Sequence, residues 1–246
     1  MIDLPVSAWL LLAAGAVIVG ISKTALPGAG TLAVVVFAAI LPARTSTAAL
    51  LVLLIVGDIL ALTLYRRHAD WRTLWRLAPA VVVGIAVGAL FLALAQDVLV
   101  RRGIGAILVA LVIVTLALRR GPVRPGGGRA ALLGYGALGG FTTMVANAGG
   151  PVMSLYFLAA RFDVRAFLGT AAWFFAIVNI AKLPIVIGLG LLTAPVLWLD
   201  LLLVPAVLVG GVLGRLIAGR LSQRTFETVV LVLTGATALW LLVGPA

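Results

Sequence analysis

The chain has no cysteine, one histidine and only seven acidic residues among 246. Without cysteine there is no disulfide, no thiolate metal site and no thiol nucleophile. The lone histidine, His68, falls in the loop segment Arg66-Arg67-His68, and metal centres built on imidazole draw on several ligands, so no metal site is expected. The shortage of carboxylates also removes the paired acids and bases that enzymes use for proton transfer. An enzyme is therefore not expected, and no cofactor is implied.

Apolar residues fill the space. They make up 64% of the sequence, and the mean hydropathy is +1.28. Charged residues reach only 10%, against about 25% in a typical soluble domain. The chain therefore reads as an all-α polytopic membrane protein whose first partner is the lipid bilayer. In a soluble protein the net charge of +11 would point to nucleic acid. Here the basic residues lie in short segments between apolar runs, where they set orientation instead, and no nucleic-acid partner is expected. The segment Met1 to Pro5 carries Asp3 and no basic residue, so the first apolar run is expected to be retained and not cleaved as a signal peptide.

Apolar runs lie near 6–22, 29–41, 45–65, 77–95 and 103–118, then near 130–145, 150–160, 166–187, 197–218 and 226–243. At 1.5 Å per residue the run 45–65 rises roughly 31 Å, enough to span, whereas 29–41 and 150–160 reach only roughly 16–20 Å. These short runs are expected to be half-helices. Between the two sets of five lies the Arg-, Gly- and Pro-rich stretch 119–129, a linker. It divides a first transmembrane repeat, 1–118, from a second, 130–246.

Sliding the chain over itself by 121 positions sets Gly28 on Gly149, Ala29 on Gly150, Arg44 on Arg165 and Asp58 on Asn179. A shift of 126 then matches Pro79 to Pro205, Gly84 to Gly210 and Gly88 to Gly214. Similar order over such a length is the mark of internal duplication. If every segment reverses direction, thirteen arginines fall on one side: 66, 67, 72, 76, 119, 120, 124, 129, 161, 165, 215, 220 and 224. Only Arg44, Arg101 and Arg102 fall on the other. The arginine-rich side, with the linker, is expected to be cytoplasmic and both termini outside. An odd number of reversals per half inverts the second repeat relative to the first, whether the short segments cross or re-enter. The expected architecture is two inverted-topology repeats of about five helical segments, with broken or half-helices at the first two of each.

The breaks carry most of the polar character. Lys23 lies between Gly20 and Pro27, where the first helix should stop before restarting at Gly28 to Thr31; the second restart is Gly149-Gly150-Pro151. A half-helix start offers free N–H groups and a positive dipole end, and glycine lets an anion approach the backbone. Facing one another, the two starts would form a two-sided anion cradle from the backbone at Gly28, Gly30, Gly149 and Gly150. Ser22, Thr24, Thr142, Thr143 and Asn147 add neutral donors at the same depth. Small residues can also serve close helix packing alone; two breaks, one with Lys23 and one with Asn147, favour a site. Asp58 lies inside a spanning run and needs a partner or a proton. It could pair with Lys23 or Lys182 as a buried ion pair, or act as a coupling or gating group. Asn179 and Lys182 share one helix face, and Lys182 is expected to be a second cationic contact. Two embedded lysines against one aspartate favour a small anionic substrate, with protons as a possible coupling ion.

The remaining conspicuous residues read as structural. Trp71, Trp75, Trp9, Trp198 and Trp240 lie near run ends as interfacial residues, Trp173 and Phe174 read as packing in preference to cavity lining, Pro79 and Pro205 as prolines at helix starts in preference to symmetric hinges, and Pro184 as a kink within its helix.

The motifs Gly20-Ile21-Ser22-Lys23-Thr24-Ala25-Leu26-Pro27-Gly28 and Gly140-Phe141-Thr142-Thr143-Met144-Val145-Ala146-Asn147-Ala148-Gly149-Gly150-Pro151 resemble those of the sulfite exporter TauE/SafE family of permeases. Chain size, twofold repetition and the basic central linker are similar as well. The resemblance implies an inner-membrane carrier, by expectation an exporter, moving small sulfur-containing anions such as sulfite, thiosulfate, sulfoacetate or another sulfonate; some members carry other organic acids. The expected activity is alternating access between the repeats, with carriage of a carboxylate as the alternative. A cation or metal permease would need a cluster of ligands in the membrane, where Asp58 stands alone, and a non-transporting assembly factor would need no polar site at this depth. Nothing in the sequence sets an oligomeric state.

Overall fold

The computed structural model describes residues 4–25, 28–119, 128–217, 232, 235 and 239–243. Most of the expected run 226–243, together with Arg120, Arg124, Arg220 and Arg224, lies outside these residues. The described residues form α1 (Val6–Thr24), α2 (Gly30–Ile40), α3 (Ala43–Tyr65), α4 (Trp71–Leu94), α5 (Asp97–Arg119), α6 (Arg129–Ala146), α7 (Gly149–Ala159), α8 (Val164–Gly188) and α9 (Ala194–Ile217), with a 3-10 turn at Arg66–His68. Five helices, α1, α3, α4, α8 and α9, are long and apolar enough to cross a membrane. The protein is a multi-pass, all-helical membrane protein. Both short runs are 11-residue helices, α2 and α7, rising roughly 16 Å each, about half the hydrocarbon thickness.

Carboxylates scarce elsewhere are used to start helices. Asp70 caps α4 by accepting from the Thr73 backbone N–H at 3.2 Å and its hydroxyl at 2.8 Å. Asp163 caps α8, accepting from the N–H groups of Arg165 and Ala166 at 2.9 Å each. Asp97, on α5, accepts from the backbone of Ala43 and Arg44 at 2.9 and 3.1 Å, and so satisfies the start of α3. Each cap meets orphan donors that hydrocarbon cannot hydrate. The Asp70 cap also corrects the expectation for Pro79. Because α4 begins at Trp71, ahead of the apolar run, Pro79 lies inside the helix; Pro205 likewise lies inside α9. Pro184 is inside α8, as expected.

The closest helix contacts are α1 on α9 and α4 on α6, while α3 packs against α8 and α9. Glycine makes the first two possible. A Cβ on Gly20 would lie 2.1 Å from the Val207 carbonyl oxygen, and one on Gly210 2.1 Å from that of Val17. Across the other seam, a Cβ on Gly84 would lie 2.0 Å from the Ala137 oxygen and one on Gly140 2.3 Å from that of Val81. Backbones touching in this way replace the hydrophobic drive that lipid denies to helix pairs. Inside, Leu50, Leu51 and Leu53 of α3 are fully buried, whereas Val82, Val83 and Val87 of α4 and Leu201, Leu202 and Val209 of α9 face outward. Such an apolar outer surface suits lipid and would be a liability in water.

Candidate functional site

Each break is made by a residue that tolerates left-handed backbone. Between α1 and α2, Gly28 has φ of 106°; between α6 and α7, Asn147 has φ of 51°. Glycine has no Cβ to clash, and asparagine is among the few other residues that enter this region readily. The helices therefore pair into two hairpins, α1–α2 and α6–α7, and their tips meet. A Cβ on Gly150 would lie only 3.9 Å from the Gly28 nitrogen.

At the meeting point is a cavity of about 70 Å³, against roughly 10–15 Å³ needed to hold one water. An anion of a few heavy atoms fits. Nine of the residues singled out from sequence line it: Ser22, Lys23, Gly28, Gly30, Asp58, Thr143, Asn147, Gly150 and Asn179. Four do not. Thr24 and Thr142 donate their hydroxyls back into their own helices, to Gly20 and Leu138 carbonyls at 3.0 and 2.8 Å. Gly149 packs a turn away, where a Cβ would meet Thr143 at 2.9 Å. Lys182 is the instructive departure from the wall.

The Lys182 side chain is fully buried. Its ammonium donates to the Thr143 carbonyl at 2.7 Å, the Asn147 side-chain oxygen at 2.7 Å and the Asn179 side-chain oxygen at 3.1 Å, with the Thr143 hydroxyl at 3.3 Å. Three protons thus meet neutral acceptors from two helices and the left-handed turn. Asn147 in turn donates to the Thr47 carbonyl at 2.9 Å, fixing the α6–α7 break to α3.

Lys23 and Asp58 form an ion pair, with side-chain exposures of 11% and 2%. The ammonium of Lys23 also lies 4.7 Å from the centre of the Phe175 ring, within cation–π range. Asn179 donates to the other Asp58 oxygen at 2.7 Å. Because its own oxygen accepts from Lys182, charged neighbours on both sides dictate the amide's orientation. A continuous polar chain, Lys23–Asp58–Asn179–Lys182–Asn147, therefore joins one break to the other. It offers a cation, hydrogen-bond donors and helix starts, the chemistry of holding an anion.

The cavity wall also includes Ala61, Tyr65, Leu168 and Phe175, none chosen from sequence as a site residue. Helical spacing held the signal: Ala61 and Tyr65 follow Asp58 at three and seven positions, and Phe175 precedes Asn179 by four. Tyr65 donates its hydroxyl to the Thr24 carbonyl at 2.6 Å, which ties the mouth of the cavity to the end of α1. At this arginine-rich end Trp173 packs at a tilt against Trp71, ring centres 5.0 Å apart, and donates to the Arg66 carbonyl at 3.1 Å.

Comparison with curated proteins and with solved structures finds no match. The family model described as Sulfite exporter TauE/SafE matches residues 12–241, a span that holds both breaks and the whole of the polar chain between them. The chain belongs to the sulfite exporter TauE/SafE family of membrane permeases, and is a transporter of a small anion, not an enzyme.

Proposed function

We propose that the protein is a secondary transporter of a small sulfur-containing anion, such as sulfite, thiosulfate or an organosulfonate like sulfoacetate, bound where the two broken hairpins meet. The observation that carries this reading is the cavity shared by both breaks, with Lys23 as its cationic contact. Donors come from Ser22, Thr143 and Asn147 and from the backbone at Gly28, Gly30 and Gly150. Lys182 stands behind the wall, bonded to Asn179 within it, and holds the second break in shape while adding positive potential. Asp58 competes with the anion for Lys23, so a proton taken up by Asp58 releases the ammonium to the substrate. Anion movement and proton movement are coupled in that way.

The architecture in this reading is two inverted repeats, 1–118 and 130–246, joined by the linker 119–129. Its support is the symmetry of the glycine seams. Moving α1 onto α6 by 120 positions and α4 onto α9 by 126 turns the Gly20–Val207 contact into Gly140–Val81, and Gly84–Ala137 into Gly210–Val17. The same moves turn the approach of Gly88 to Met144 and Phe141 into that of Gly214 to Thr24 and Ile21. Repeats of this kind, rocking about a fixed site, give alternating access. In this reading the face with Arg66, Arg129 and Arg161 is cytoplasmic in an inner-membrane carrier and both termini are outside; its support is the excess of arginine there.

Proteoliposomes offered sulfite, thiosulfate, sulfoacetate and simple carboxylates, with and without a pH gradient, test the reading. Uptake of at least one sulfur anion is expected, greatly reduced in Lys23→Gln. If no anion moves, the reading fails; if only carboxylates move, the substrate class is wrong.

A further inference from the structure

The cavity is lopsided, reaching past Asp58 toward the arginine-poor end only as far as Leu54. From the level of Asp58 and Asn179 it runs toward the arginine-rich end, lined by Ala61 and Tyr65 of α3 and by Leu168, Ala171 and Ala172 of α8. Toward the opposite end the same two helices are sealed. Thr47, Leu50 and Leu51 of α3 are at most 3% exposed, and Lys182 and Val186 of α8 are both fully buried.

The two sets are register partners. The spacing of 121 that separates Asp58 from its hydrogen-bonded Asn179 carries Thr47, Leu50 and Leu51 onto Leu168, Ala171 and Ala172, and Ala61 and Tyr65 onto Lys182 and Val186. Apart from Phe175, whose mate Leu54 lines the same cavity, these positions open the cavity in one repeat and close the other end in its mate. Two repeats with interchangeable conformations have two such states of comparable energy, and exchanging conformations exchanges open and sealed ends. We infer that the protein has a second anion contact at Lys182, in a counter-cavity between Thr47, Leu50, Leu51 and Val186 that opens to the arginine-poor face as the present cavity closes.

The partnership of Ala61 with Lys182 makes the two cavities unequal. The present one holds Lys23 and Asp58, whose charges cancel. Asp58 and Asn179 are partners of one another, and so are Lys23 and Thr143 in the glycine-seam register, so this centre is common to both states. The counter-cavity adds an ammonium that the present one lacks. It therefore binds an anion more tightly than the present one. To open it, the bonds closing this end must break: Asn147 to the Thr47 carbonyl at 2.9 Å and Thr47 to the Val145 carbonyl at 3.2 Å. The same rearrangement frees Lys182 from Asn147.

This inference rests on the proposed function, and the natural absence of cysteine lets the two be tested apart. Single variants Ala61→Cys, Ala172→Cys, Leu51→Cys and Val186→Cys are treated with a membrane-impermeant maleimide from either face of oriented vesicles. Ala61→Cys and Ala172→Cys are expected to react from the arginine-rich face. Leu51→Cys and Val186→Cys are expected to react from the other face, about tenfold faster than from the first. Leu50→Cys replaces either of the latter if it does not fold. Sulfite or sulfoacetate should slow labelling in both sets, and adding Lys182→Gln should remove that protection at Val186→Cys while leaving it at Ala61→Cys. Reaction of Leu51→Cys and Val186→Cys from neither face, or from the arginine-rich face, overturns the counter-cavity, and so does protection that survives Lys182→Gln. Loss of protection at Ala61→Cys in the parent background overturns instead the reading that an anion uses this cavity at all.

Discussion

At the residue scale, the embedded acids among the described residues divide into Asp58, which has partners, and Asp200, which has none. Asp58 has Lys23 and Asn179; removing Lys23 leaves a carboxylate in a site where only 2% of its side chain is exposed. Breaking a buried pair from one side costs roughly 3–5 kcal/mol, whereas replacing both partners by neutral groups of similar shape costs far less. Lys23→Met is therefore expected to lower the thermal unfolding temperature in detergent strongly, and Lys23→Met combined with Asp58→Asn to recover most of the loss. A double variant no more stable than Lys23→Met would show that the pair is not what holds these side chains. Asp200 is the contrasting case. It is 1% exposed on α9, and neither carboxylate oxygen has a hydrogen-bond partner among the described residues. An unpaired acid in a membrane helix is costly in its charged form, so Asp200→Asn should raise stability by about 1 kcal/mol or more. Thermal unfolding reads this too, and a fall would mean that the acid has a role its neutral amide cannot fill.

At the scale of helices and turns, two kinds of glycine-like position can be told apart. The turn between α6 and α7 is made by Asn147 at φ 51°, and its side chain is also bonded to Thr47 and Lys182. Alanine there meets the left-handed penalty of about 1–2 kcal/mol and loses both bonds, while glycine loses only the bonds. The expected order of stability is Asn, then Gly, then Ala, and Ala equal to Gly would show that the backbone is not strained. At the seams the constraint is distance. Gly84→Ala would press a Cβ to 2.0 Å from a carbonyl oxygen, whereas Gly134 has nothing within 4 Å. Gly84→Ala should separate α4 from α6 and greatly reduce the folded yield, while Gly134→Ala, on the same α6, should be neutral or slightly stabilising through helix propensity. Equal yields from the two would overturn the seam.

At the scale of the whole molecule, function depends on both halves meeting. Asp58→Asn keeps the hydrogen bond to Asn179 within reach but can no longer gain and lose a proton. Under the proposed coupling, this variant still exchanges labelled anion across the membrane but does not accumulate it against a gradient when a pH difference is imposed. Full pH-driven accumulation would remove Asp58 from the coupling. The wider architecture was legible without coordinates because lipid imposes it. A backbone that cannot be hydrated must be helical, and a helix must be long enough to cross. The breaks were legible for the same reason, since Gly28, Gly149 and Gly150 interrupt runs that otherwise could not be interrupted. Helix starts were less so: Asp70 begins α4 ahead of its apolar run, and this put Pro79 inside the helix.

What the sequence determined by itself is the class of molecule and the positions of the two breaks, because each follows from local composition set against an apolar solvent. What only the tertiary structure decided is which charge faces the cavity. Lys23 and Lys182 are equally conspicuous in the sequence, but one lines the cavity beside Asp58 and the other is enclosed by Thr143, Asn147 and Asn179. Hydrogen-bond acceptors brought together from α6, α8 and the turn at Asn147 hold the Lys182 ammonium away from the wall. No local pattern encodes that convergence, since these acceptors lie up to 39 positions from the lysine they hold and meet it only when the helices pack.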